Sequence, residues 1–378
     1  MDRPTAFFST HPRPRGAVWK GAFLGLLTAA LVVFSLDAAV FRTGWYSLAV
    51  EPKSFAGDFE MAVRNERSRQ RGAVPQVLFA GDSRSVAFRP RLALEFADGR
   101  LAFGNAAVRG SNPRNWYYLF RDLDPSASRY AAIVIGIEQF EDEDGLEDLG
   151  DRLLDLHMTA GSLGLRDLLD FPFTFRSAAT RREAFLGCLL KGSAYKLDFQ
   201  EFLAHPTHRL LQAAYYREWS ARKDWDSTGA AGDLSGLEAD WSTRTLKLPP
   251  GADADTRSIL RMRVETPAYP QTGLRAAFRR QWFARIAARY RGSPTRLIFL
   301  RVPASPIPRP ASLAPRALPS VLRELASQPN MVLAEDPRVE ALERPEFFID
   351  HSHLNAVGAT RLTRIAVERV LIALGLHR

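Results

Sequence analysis

The sequence predicts a doubly wound α/β domain built on a parallel sheet, preceded by one membrane-spanning helix. Three observations predict it. Short runs such as Gln76 to Ala80 are apolar on both faces, the pattern of strands buried in a parallel sheet. Segments of helical pattern separate these runs, as crossover connections require. Near the N-terminus lies an apolar stretch of bilayer length.

In chain order, that stretch comes first. Gly21 to Leu36 carries no charge, stands after Arg13, Arg15 and Lys20, and continues after Asp37 to Phe41. Its roughly 20 residues cover a hydrocarbon core of about 30 Å as a helix. The basic flank holds a tail, 1–20, in the cytoplasm and sends the rest of the chain across the membrane. A cleaved signal peptide shares these features, but no clear small-residue cleavage site stands around Asp37, Ala38 and Ala39, so an uncleaved anchor at 21–41 is the preferred reading. Asp37 is expected to reach the interface, and Trp45 and Tyr46 to sit among the headgroups, with 42–73 as a juxtamembrane segment.

The exported domain is expected at 74–375. Its strands are read at Gln76 to Ala80, Leu101 to Gly104, Ala131 to Ile135, Leu297 to Leu300 and Met331 to Ala334. About 160 residues separate the third from the fourth, against the dozen or so that a crossover needs. The excess reads as a helical insertion or cap at about 141–291, with helical pattern at Leu163 to Leu169 and Arg209 to Arg222. Within it, Trp225 to Gly229 reads as loop and Pro249-Pro250-Gly251 as a break; Pro303, Pro306, Pro308 and Pro310 form a further loop. The last element, Ala356 to Leu374, is patterned as an amphipathic helix.

Composition narrows the function classes. With 378 residues, 46% hydrophobic and 25% charged, the chain is a folded protein and neither disordered nor fibrous. The net charge of +9 comes mostly from arginines spread along the chain and interrupted by acids, which argues against nucleic acid as a partner. The single cysteine, Cys188, permits neither an intramolecular disulfide nor a cysteine metal cluster. Its apolar neighbours place it in a core, without assigned function. The acidic run Glu141 to Asp144 reads as a solvated loop in preference to a calcium site.

Seven histidines are present. His11 lies in the cytoplasmic tail, His377 is next to last, and His157 has helical context but no evident partner. His205 and His208 have H-x-x-H spacing without a visible third ligand, so they are read as a surface or core pair and no metal is assigned. His351 and His353 remain. Asp350 stands three residues before His353, a spacing that lets a carboxylate hold the imidazole by Nδ1 while Nε2 faces a nucleophile. The competing role for Asp350 or Asn355 is to cap the final helix. At the other end, Gly81-Asp82-Ser83-Arg84-Ser85 comes directly after the first strand, so Ser83 sits where a strand turns into a helix, near backbone N–H groups. Ser85 occupies the second glycine position of a G-x-S-x-G elbow, so the motif is not that one.

Gly81-Asp82-Ser83 near the start of the domain and Asp350-x-x-His353-Leu354-Asn355 near its end resemble the SGNH (GDSL-type) hydrolase superfamily in motif, place and order. The resemblance covers roughly 74–140 and 292–375. It implies a flavodoxin-like sheet, Ser83 as nucleophile, Asp350 and His353 as its base, and no cofactor. It also implies an oxyanion hole from the backbone N–H groups of Ser83 and Gly110, the latter in Asn105-Ala106-Ala107-Val108-Arg109-Gly110. Where the family has G-x-N, whose asparagine donates to the oxyanion, this chain has Gly136-Ile137-Glu138. An ionised carboxylate cannot donate and opposes a neighbouring oxyanion, so either Gln139 or another group supplies the donor, or the Ser83 and Gly110 N–H groups suffice, or catalysis is impaired. Anchored members of the family that O-acylate cell-surface polysaccharides, often beside a multi-spanning acyl-donor protein, are similar in layout. The expectation is therefore acyl transfer or deacylation on an envelope polysaccharide, with a tethered esterase or lipase on small or lipid esters, or a non-catalytic assembly protein, as alternatives.

Overall fold

The computed structural model describes residues 15–70, 72–138, 149–222, 234, 236–265, 273–310 and 320–376. The chain starts with helix α1 (Arg15–Phe41), then α2 (Phe55–Ser68), strand β1 (Gln76–Gly81), α3 (Pro90–Phe96), β2 (Ala102–Asn105), α4 (Pro113–Leu123) and β3 (Ala132–Ile137). A long helical stretch comes next: α5 (Leu154–Thr159), α6 (Ala178–Leu189), α7 (Lys191–Ala194), α8 (Lys196–Ala204) and α9 (Pro206–Arg222). After a two-stranded hairpin of β4 (Glu238–Asp240) and β5 (Thr245–Lys247) stand α10 (Ala254–Glu265), α11 (Gly273–Arg289) and β6 (Arg296–Arg301). The end is built from α12 (Ser320–Leu325), β7 (Met331–Ala334), α13 (Pro337–Glu340) and α14 (Ala356–Ala373).

All five expected sheet strands form, within a residue or two, and all pair in parallel in the order β2-β1-β3-β6-β7. Their apolar character on both faces has a direct structural cause. Leu78, Ala80, Ile133, Ile135, Leu297 and Phe299 point to one core, beneath α2, α4, α11 and α12. Val77, Phe79, Ala132, Val134, Ile298 and Leu300 point to the other, beneath α3 and α14. Successive side chains of a strand alternate between faces, so a sheet covered on both sides needs unbroken apolar runs. Because the chain winds one way from β1 to β2 and the other way from β1 to β3, a crevice opens outside the carboxyl ends of β1 and β3.

The region expected as an insertion does not stand apart from this core. Phe283, Ile286 and Ala287 of α11, Tyr290 just past it, and Met158 of α5 are buried in the first core cluster. The segment between anchor and domain is likewise structural, since Phe59 and Val63 of α2 join that cluster. Leu163 to Leu169, expected as helical, forms only a 3-10 turn at Leu165–Asp167. Gly164 starts this turn, and its N–H is held by the Asp167 side chain, itself tied to Arg121, so local side-chain bonds replace a helix too short to sustain itself. Arg209 to Arg222 lies within α9 as expected, and Cys188 is buried with its thiol pushed up to about 12, first by burial.

Among the described residues, α1 alone is long and apolar enough to cross a membrane. Its outer end departs from expectation. Asp37 does not reach toward solvent: its carboxylate is buried and accepts the backbone N–H groups of Lys191 (2.9 Å) and Gly192 (2.7 Å). Tyr46 is buried too, donating its hydroxyl to Asp198 (2.6 Å), whereas Trp45 is half exposed. A carboxylate in an apolar helix needs partners, and the start of α7 supplies two.

Candidate active site

Ser83 begins a 3-10 turn, Ser83–Ala87, immediately past the carboxyl end of β1. The turn starts on Asp82, whose side chain accepts the Arg84 N–H at 3.0 Å. Gly81 has φ +145, and a Cβ there would come within 2.1 Å of Ser85 Oγ and 2.8 Å of the Gly136 carbonyl, so only glycine fits. Ser85 is fully buried in this recess, which leaves Ser83 as the half-buried serine of the motif. Asn105 Nδ2 reaches the carbonyls of Ser85, Val86 and Phe88 and holds the turn on the end of β2.

The Gly110 segment runs beside this turn. The Gly81 carbonyl accepts from both the Val108 N–H (3.0 Å) and the Ser111 hydroxyl (3.0 Å). Gly110 has φ +66, a left-handed conformation, and its carbonyl accepts from Arg152 Nη2 at 2.8 Å. Among the described residues neither the Ser83 nor the Gly110 backbone N–H is engaged in a hydrogen bond, leaving both available to an anion. Behind Gly110 lies a buried charge cluster. Asp155 accepts from Arg114 (3.0 Å), Arg152 (2.6 Å) and twice from Asn112 (3.0 Å), and Asn112 in turn caps α4.

At the far end of the chain, Asp350 and His353 occupy a tight turn pinned by the bridge between Phe348 and Leu354. His353 Nδ1 lies 2.7 Å from Asp350 Oδ2, while Asp350 Oδ1 accepts the N–H groups of Ser352 (2.7 Å) and His353 (2.8 Å). Burial pushes the Asp350 carboxyl up, but the His353 hydrogen bond, its charge and the two backbone N–H groups outweigh that and hold it at about 2. Asn355, not Asp350, caps α14, accepting from Val357 and Gly358. Phe347, Phe348 and Leu354 share a buried cluster with Ala87, and Thr363 of α14 accepts the Arg89 N–H at 3.1 Å, so the Asp350–His353 turn and the Ser83 turn are packed into one region. Ser83 Oγ makes no hydrogen bond to the imidazole among the described residues.

His351 contacts α10. Its Nδ1 is 3.4 Å from Thr256 Oγ1, and burial, with His353 and Arg84 adding to it, pushes its pKa down against the carboxylates of Asp350 and Asp255.

The structure corrects the expectation for Glu138. Its carboxylate is buried and paired with Arg84 Nη1 (2.6 Å) and with Arg263, and Arg84 also pairs with Asp82 (2.9 Å). Asp82, Arg84, Glu138 and Arg263 alternate in sign and sum to zero, so Glu138 does not stand as an uncompensated negative charge beside an oxyanion. A cleft lined by Asp82, Arg84, Asn112, Glu138 and Arg279 opens here. Arg263 and Thr256 both belong to α10, so the region between β3 and β6 supplies part of the site wall. No sequence pattern signalled Arg84, Arg263 or Asn105 as site residues.

Gln139 and Glu141 to Asp144 lie outside the described residues, as do His11, His377 and the segment Trp225 to Gly229. His157 has a partner after all, the Ala194 carbonyl at 2.7 Å. His205 and His208 are both exposed.

These charges set two expected outcomes. Glu138→Gln should remove the counter-ion that Arg84 and Arg263 share in a buried setting, lower stability by roughly 3–5 kcal/mol and leave turnover no higher than wild type. Denaturant unfolding together with ester hydrolysis checks this, and faster turnover would show that Glu138 does oppose the reaction. The Asp350 pair gives a pH signature. A carboxyl depressed in the folded state stabilises fully above its unfolded value near 3.9, and the gain disappears as pH falls to about 2. The stability difference between wild type and Asp350→Asn should therefore shrink as pH falls from about 5 to about 2 in urea melts.

No protein-family model matches the chain, and no curated protein matches it.

Proposed function

We propose that the chain is a membrane-anchored serine enzyme of acyl-ester chemistry, working outside the cytoplasm on a cell-envelope polysaccharide. The observation that carries this reading is the Asp350–His353 hydrogen bond, on a turn sharing a hydrophobic cluster with the Ser83 turn. With Nδ1 held by Asp350, Nε2 is the nitrogen left to take the Ser83 proton. Ser83 Oγ then attacks the acyl carbonyl, and the developing oxyanion is met by the Ser83 and Gly110 N–H groups. Collapse expels the alcohol, which takes the proton from Nε2, and leaves an acyl-Ser83 ester. Water or a sugar hydroxyl gives its proton to Nε2 and attacks that ester, releasing the acid or the acylated sugar. Water makes the enzyme a deacylase or esterase, and a sugar hydroxyl makes it an O-acyltransferase. The polysaccharide acceptor and a multi-spanning acyl-donor partner rest on the motif resemblance and the helix α1.

A second reading, a non-catalytic assembly protein, draws support from the absence of a Ser83–imidazole hydrogen bond among the described residues and from Glu138 at the donor position. Labelling of the detergent-solubilised protein with a fluorophosphonate probe separates the two. Labelling of wild type that is lost in Ser83→Ala and His353→Ala supports the enzyme; an unlabelled wild type supports the assembly protein.

A further inference from the structure

The last turn of α1 is not a free tether. Besides the Asp37 bonds to the start of α7, Arg42 Nη2 donates to the carbonyls of Cys188 (2.8 Å) and Leu189 (2.7 Å). The Phe41 ring stacks on Tyr195 at 5.9 Å and stands edge-on to Phe199 at 5.0 Å. A helix rising about 1.5 Å per residue reaches the outer edge of a hydrocarbon core of about 30 Å near Phe41 when it enters near Gly21. Everything clamped to Phe41 is then held at the depth of the headgroups, and the partners of Asp37 lie about 6 Å below it. Together they include the end of α6, all of α7 and the start of α8.

The side chains at this level are those of a surface that meets lipid. Leu197 and Leu203 of α8 are 74% and 61% exposed, and Phe185 of α6 is exposed as well. Trp45, four residues past the anchor, is half exposed with its ring edge-on to Phe202 at 5.9 Å. The Phe23 to Leu36 stretch of α1 is itself uncovered by the rest of the chain. Lys196 of α8 and Arg182 of α6 are exposed and suited to anionic headgroups, although Arg182 pairs with Glu183 at 3.7 Å and Glu201 of α8 is exposed as well.

We infer that the α6–α8 face, centred on Leu197 and Leu203, docks into the headgroup region of the bilayer that α1 enters. This rests on the reading of α1 as a membrane anchor. It gives the domain a fixed orientation on the membrane instead of a swinging one.

The test uses the full chain in vesicles of phosphatidylcholine and phosphatidylglycerol, with nitroxide labels on single introduced cysteines. Leu197→Cys and Leu203→Cys report on the face, Leu27→Cys on the anchor, and Val357→Cys, exposed on α14, on water. The buried Cys188 is controlled by a labelling blank without an introduced cysteine. Collision rates with oxygen and with a water-soluble nickel chelate are compared. The expected result is a several-fold higher oxygen-to-nickel ratio at 197 and 203 than at 357. A lipid-like Leu27 label with water-like labels at 197 and 203 overturns the docking and leaves the anchor standing. A water-like Leu27 label overturns the anchor and the docking together. Labels at 197 and 203 that are shielded from both reagents and broadened by dipolar coupling assign the face to a second copy, which also overturns it.

Discussion

Turnover of an activated acyl ester is expected to fall by roughly 10⁴- to 10⁶-fold in Ser83→Ala, with the unfolding midpoint unchanged. The size reflects the division of labour in the site. On the proposed mechanism, removing Oγ removes the atom that forms the acyl ester, and what would remain is binding and the two backbone N–H donors, which would keep a residual rate above that in water. The stability half reflects burial. Ser83 is half-buried and its hydroxyl holds no hydrogen bond among the described residues, so its loss leaves no polar group stranded. His353→Ala is expected to cost nearly as much, because nucleophile and base act as a unit, and the double variant should be scarcely worse than either single one. Steady-state kinetics on all three, with calorimetry on each, checks both halves. Full turnover in Ser83→Ala would remove the serine mechanism altogether.

The largest expected loss of stability is at Asp155. Arg114 and Asp155 are both fully buried, and Arg152 and Asn112 complete the carboxylate's partners. Asp155→Ala leaves the Arg114 guanidinium in the interior with no counter-ion, and breaking a buried pair from one side costs about 3–5 kcal/mol. Burial already pushes the Arg114 pKa down, and Asp155 opposes that by favouring the charged form. The same substitution frees Arg152, which holds the Gly110 carbonyl, and uncouples Asn112 from the cap of α4. Turnover is therefore expected to fall together with stability, through a misplaced Gly110 N–H. Urea unfolding and kcat on the folded fraction separate the two effects. A variant as stable as wild type would mean that the cluster does not hold this loop.

Features written in local order were legible. Each sheet strand announced itself by a run apolar on both faces, and the Asp350–His353 pair by a spacing of three within one turn. The membrane-length apolar helix was legible for the same reason, as contiguous apolar residues. Features made by distant residues were not. Glu138 looked like a charge in the wrong place because Arg263 stands far along the chain on α10, and Arg84 carried no mark of the pair it makes. Asp37 looked interfacial because the N–H groups of Lys191 and Gly192 that bury it lie 154 and 155 residues away. Tyr46 suited a headgroup by type, yet its ring is enclosed by Phe41, Tyr195, Phe199 and Phe202.

The sequence by itself determined the α/β class, the five parallel strands, the membrane-length helix and the residues proposed as nucleophile and base, because each is encoded in a short window of residue type and period. Tertiary structure alone decided that Glu138 is neutralised, that α2 and α11 belong to the core, and that α1 is clamped to the domain at Asp37 and Phe41. Pairing energies depend on distance in space and on the exclusion of water, and neither quantity exists until the chain has folded.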